Sequence, residues 1–123
     1  MRAILAPALL FAAGPALADL ACPMQLYCSD QECFAANPAD EEGATYVRDP
    51  LGAAPELYLG DGIWVAASRA DGRGALTWTA TSPTGEAVSL GLRREGGDYI
   101  LTRREPAGGR VWTATGRCTD IAQ

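Results

Sequence analysis

From Leu57 to Thr115 apolar and polar residues alternate in short runs, and turn-forming residues interrupt the runs at close, regular spacing. Period-two alternation bounded in this way predicts an antiparallel β-meander. The interruptions are Gly60-Asp61-Gly62, Asp71-Gly72, Ser82-Pro83-Thr84-Gly85, Gly96-Gly97 and Pro106-Ala107-Gly108-Gly109. Each supplies a residue tolerant of positive φ or a proline whose φ is preset, as tight reversals require.

Every turn implies a register, and a slip of one residue would turn a strand's side chains to the opposite face. Asp71-Gly72 as a two-residue turn sets Ala67 against Leu76, Val65 against Trp78 and Ile63 against Ala80. Ser82 to Gly85 sets Ala80 against Val88, Trp78 against Leu90 and Leu76 against Leu92. Gly96-Gly97 sets Leu92 against Leu101 and Arg94 against Tyr99. The loop at Pro106 to Gly109 sets Leu101 against Ala114, Tyr99 against Gly116 and Arg103 against Trp112. Upstream, Gly60 to Gly62 sets Leu59 against Ile63 and Leu57 against Val65. These turns agree on one apolar face: Leu57, Leu59, Ile63, Val65, Ala67, Leu76, Trp78, Ala80, Val88, Leu90, Leu92, Tyr99, Leu101, Trp112 and Ala114. Thr77, Thr79, Ser89, Thr102, Arg104, Thr113 and Thr115 take the other face, together with two apolar exceptions, Trp64 and Ile100. Tyr58 also falls outside.

An apolar face must be covered and sheet edges must be protected, and closing the sheet on itself does both. In Cys22-Pro23-Met24-Gln25-Leu26-Tyr27-Cys28 the residues Cys22, Met24, Leu26 and Cys28 share one face. An antiparallel partner at Val111 to Cys118 sets Cys22 against Cys118. A further strand near Ala44 to Arg48 brings the count to eight, an even number that makes the first and last strands antiparallel. The expected fold is all-β, a small up-and-down meander closing into a barrel of about eight strands, its terminal strands adjacent and disulfide-linked.

Residues 1–18 read as a secretory signal peptide: Arg2, an apolar core, Gly14 and Pro15 as breakers, and Ala16-Leu17-Ala18 as the cleavage site. The apolar core is too short to span a bilayer, which takes about 20 residues. The expected mature protein is one soluble domain, residues 19–123, in the periplasm or outside the cell. A competing reading lipidates Cys22, although Asp19 stands three positions before it where an aliphatic residue is usual.

An oxidising compartment favours disulfides over metal for the four cysteines, whose C-x5-C-x4-C spacing plus a distant Cys118 does not suit zinc. The expected pairs are Cys22 with Cys118 and Cys28 with Cys33. Pairing of Cys22 with Cys28 or with Cys33 stays open, because spacing alone does not decide connectivity.

Charge narrows the partners. Beyond residue 18 the chain has nine Arg and 15 acids, a balance of −6, which argues against nucleic acid or anionic lipid. Lys and His are absent throughout, and with them the commonest general base and metal ligand. The Arg-only cation set suits a GC-rich bacterial genome, and the leader suits a Gram-negative periplasm. No catalytic site, cofactor or metal site is expected, and the protein is read as a monomer.

Two places are candidates for binding an unknown protein or small molecule. Arg103 is the one charge that the registers turn inward, beside Trp112; stacked on the indole it would bind a carboxylate or phosphate, or else carry its head out to water. The loop from Ser29 to Gly43 bears Phe34 and the acids Asp30, Glu32, Asp40, Glu41 and Glu42. Phe34, Asp40, Glu41 and Glu42 there would suit a basic partner, or else the segment is a solvated, turn-rich loop with a short helix at Phe34 to Asn37. The loop lacks the D-x-D-x-D-G spacing of a calcium loop.

In layout the chain resembles the small periplasmic inhibitors of c-type lysozyme, eight-stranded barrels with a cysteine near each end joined by a bridge. That resemblance implies inhibition of a basic enzyme, but their Ser-Gly-x-x-Tyr loop is missing; Ala67-Ser68-Arg69-Ala70-Asp71-Gly72 stands nearest to it. The other classes in view are a lipocalin-like carrier, which needs an apolar cavity of at least roughly 300 Å³, and a structural envelope domain without a site.

Overall fold

The structure, a computed structural model, describes residues 20–30, 32–36 and 44–120. The expected leader and the acids Asp40, Glu41 and Glu42 lie outside the described residues. Strands run as β1 (Leu20–Cys22), β2 (Leu26–Ser29), β3 (Glu32–Ala35), β4 (Thr45–Arg48), β5 (Glu56–Tyr58) and β6 (Trp64–Ala66). They continue as β7 (Ser68–Gly72), β8 (Ala75–Thr81), β9 (Ala87–Arg93), β10 (Asp98–Arg104), β11 (Val111–Arg117) and β12 (Thr119–Asp120). A 3-10 turn at Pro106–Gly108 joins β10 to β11. Phe34 and Ala35 are strand, so the short helix that the solvated-loop reading starts at Phe34 does not begin there: pairing with β2 takes up their backbone.

All pairings are antiparallel. They give a five-stranded sheet, β12-β1-β4-β5-β6, and a seven-stranded sheet, β3-β2-β11-β10-β9-β8-β7. Two sheets thus stand where the sequence predicts one closed barrel. The ladders break at Pro23–Gln25 between β1 and β2, at Ala67 between β6 and β7, and at Cys118 between β11 and β12. Pro23 has no N–H to give a ladder. At the same breaks the amides of Gln25, Ala67 and Cys118 donate to the carbonyls of Thr115, Pro55 and Gly97 at 2.8, 2.9 and 2.8 Å.

The sheets share one core. Cys22, Val47 and Leu57 from the smaller sheet pack with Leu76, Trp78, Val88, Leu90, Leu92, Tyr99, Leu101 and Ala114 from the larger. Leu59, Val65, Ala67 and Ala80 lean against this cluster, so the predicted apolar face is nearly all inside. Ile63 is the departure: it is 38 % exposed at the hairpin tip, where its amide donates to Gly60. Ile100 is exposed, as the registers require.

The turns at Ser82 to Gly85 and Pro106 to Gly109 give the predicted registers, with Trp78 opposite Leu90 and Leu101 opposite Ala114. So does the first hairpin, with Leu57 opposite Val65. Two registers differ. Leu92 lies opposite Tyr99 rather than Leu101, because the reversal takes four residues, Arg94 to Gly97. A two-residue turn would have set Glu95 against Asp98, two like charges face to face. The β7–β8 reversal falls at Arg73-Gly74, with Gly74 at φ 79°, instead of Asp71-Gly72. Trp78 therefore faces Arg69 and not Val65, and Leu76 faces Asp71 and not Ala67. Both side chains of the Trp78–Arg69 pair donate to the Pro50 carbonyl, at 3.0 and 3.2 Å, an arrangement this register makes available.

Candidate functional site

Both disulfides join the expected partners. Cys22 bonds Cys118 across a sequence separation of 96, and Cys28 bonds Cys33 across five. Cys22 is fully buried, its sulfur engaged in that bond. At the ends Leu20 pairs with Asp120 and Ala21 with Thr119. Below the break the register changes by one: Tyr27, not Leu26 or Cys28, lies opposite core Ala114. Leu26 and Cys28 therefore leave the face they were expected to share with Cys22 and Met24; Leu26 is exposed, and Cys28 pairs with Cys33 on the outer side.

This flip builds the β2–β3 hairpin at the edge of the larger sheet. All four residues of β3 are exposed, and Phe34 is 53 % exposed. Asp30, at φ 54°, makes the turn, a conformation Asp tolerates. Exposed Asp30 and Glu32 lie beside Phe34 in the chain, and Cys28–Cys33 ties the two strands. The structure thus describes the first part of the predicted acidic binding loop as a stapled hairpin.

Arg103 points inward as expected, with its guanidinium carbon 4.9 Å from the Trp112 ring centre. It is not a free anion receptor. Glu86 Oε1 accepts from its Nε at 3.1 Å and its Nη2 at 2.5 Å, with side chains only 19 and 14 % exposed. The signal for Glu86 was in the sequence: it lies two residues before inward Val88, which faces Arg103. Arg69 is a second inward Arg, two residues on from inward Ala67 and so on that face in either register; the Arg73-Gly74 turn decides only that it meets Trp78, and it also binds Asp71 at 2.7 Å. Its strand β7 covers most of the stretch nearest the lysozyme-inhibitor loop, and it is paired sheet rather than a protruding loop.

A cavity of about 150 Å³ adjoins the Arg103–Trp112 pair, lined by Met24, Tyr27, Thr45, Leu59 and Leu101 among others. Tyr27 meets Trp112 edge to face at 5.6 Å. Outside the smaller sheet, Tyr58 stands between Tyr46 and Trp64 at 5.7 and 5.1 Å, and Arg48 covers the Trp64 ring at 4.0 Å while binding Glu56. Tyr58 and Trp64 are outward as expected, and they are occupied with one another.

Among the described residues no three His, Cys, Asp or Glu side chains are grouped to hold a metal ion, and no helix is long and apolar enough to cross a membrane. Compared with protein-family models, curated proteins and solved structures, the chain gives no match.

Proposed function

We propose that this chain is an exported, non-catalytic binding domain that engages a basic protein partner through the β2–β3 hairpin. Phe34 carries the reading: a large apolar ring held in water on an edge strand that a disulfide fixes in place. An ordered exposed aromatic costs little entropy on binding, and the neighbouring acids supply the sign of charge that a basic surface would meet. Export is supported by the two disulfides and the leader-like sequence at residues 1–18. A non-catalytic role is supported by the lack of His and Lys, by the bonding of all four cysteines and by the engagement of Glu86 with Arg103. On this reading the two sheets wrap their common core as a flattened barrel, whose corners are the three ladder breaks. The cavity of about 150 Å³ is too small for a lipocalin-like carrier, whose sites begin at roughly 300 Å³.

Affinity capture from a Gram-negative periplasmic extract tests the proposal, with wild-type and Phe34→Ser baits compared at about 0.05 and about 0.5 M salt. The expected result is a basic protein held by wild type at low salt, lost at high salt and lost with Phe34→Ser. A partner retained equally by both baits, or no basic partner at all, overturns it.

A further inference from the structure

The cavity beside Arg103 has a chemical character that the hairpin reading does not use. Met24, Tyr27, Leu59, Leu101 and Trp112 make its wall largely apolar. Thr45 belongs to that wall: it is 5 % exposed, and its side chain has no hydrogen-bond partner among the described residues. A buried hydroxyl without a partner is uncommon and costly in a folded protein. Arg103 also borders the space, but Glu86 neutralises it, so the lining has no uncompensated positive charge with which to hold an anion. In size the cavity matches those known to admit a single benzene-like ring, about 150 Å³.

We propose that this cavity is a binding site for a small uncharged molecule of one ring or equivalent bulk, bearing a single hydroxyl that hydrogen-bonds to Thr45. A molecule of that kind would place its apolar body against Trp112 and Leu101 and complete the hydrogen bonding of Thr45. A fully apolar analogue would leave the Thr45 hydroxyl as it is. An anionic analogue would bring an uncompensated charge into the apolar wall near Glu86.

The site is tested with phenol, toluene and benzoate, titrated against the oxidised protein while the melting temperature and the total tryptophan fluorescence, from Trp64, Trp78 and Trp112 together, are followed. Phenol should bind saturably and raise the melting temperature, toluene should bind more weakly, and benzoate should not bind. Thr45→Val removes the hydroxyl at constant shape and should weaken phenol about five- to tenfold while leaving toluene unchanged. Ala114 and Ala44 also line the cavity, so Ala114→Leu should fill the space and abolish both, with Ala44→Leu as the alternative if that variant does not fold. Absence of saturable phenol binding, equal binding of phenol and benzoate, or an unchanged phenol affinity in Thr45→Val would each overturn the assignment.

Discussion

Tyr99 shows how one side chain links distant parts of the chain. It is 3 % exposed and its hydroxyl donates to the Pro23 carbonyl at 2.9 Å, over the ladder break between β1 and β2. Burial pushes its phenol up from 10.0 to about 12. The unfolded chain therefore releases this proton first, so Tyr99 adds stability that is complete below pH 10 and lost as pH rises toward 12. The loss amounts to about 2–3 kcal/mol across that window. Tyr99→Phe should remove this part of the alkaline slope in urea titrations at pH 9 to 12, and should cost about 1 kcal/mol at neutral pH. Gly116 lies against the same joint, where an added Cβ would collide with the Pro23 oxygen and come 3.0 Å from the Tyr99 ring. Gly116→Ala should destabilise by about 2–3 kcal/mol, read as a lower urea midpoint. Glu86→Gln should cost about 2 kcal/mol by leaving Arg103 without its counter-charge; an unchanged midpoint would show that water already serves that guanidinium.

At the scale of strands, what the sequence reveals depends on parity. Both misplaced reversals moved the pairing by an even number of residues: Leu92 meets Tyr99 instead of Leu101, and Trp78 meets Arg69 instead of Val65. An even slip exchanges neighbours and preserves faces, so Leu76, Trp78, Leu90 and Leu101 reach the core in either register. The shift of one residue between β1 and β2 had the opposite effect. It turned Leu26 and Cys28 outward and Tyr27 inward, and nothing in the alternation of that short segment foretold a break at Pro23. Arg69, two residues on from Ala67, keeps its inward face in either register; only its partner, Trp78, depends on which glycine makes the turn. Glycine substitutions check this: Gly74→Ala should cost about 1 kcal/mol because its φ is 79°, whereas Gly72→Ala, within strand β7, should lie within about 0.5 kcal/mol of wild type. Equal effects on melting would put the reversal elsewhere.

For the molecule as a whole, the two disulfides do different work. Cys22–Cys118 closes a loop with a sequence separation of 96 and Cys28–Cys33 one of five. In the chain-entropy account these are worth about 4–5 and about 2 kcal/mol, against a net stability of about 5–15 kcal/mol for a small domain. Cys118→Ser should accordingly lower the melting temperature far more than Cys33→Ser; equal, small losses would contradict this division. The seam at Cys22–Cys118 also has a mechanical side. Among the described residues, what lies outside the bridge is the short pairing of Leu20 and Ala21 with β12 on one side and β4 on the other. Tension applied through the two ends would peel that pairing and then bear on sulfur, so the enclosed chain, roughly 330 Å in contour, stays shielded from extension until a reductant cuts the bond.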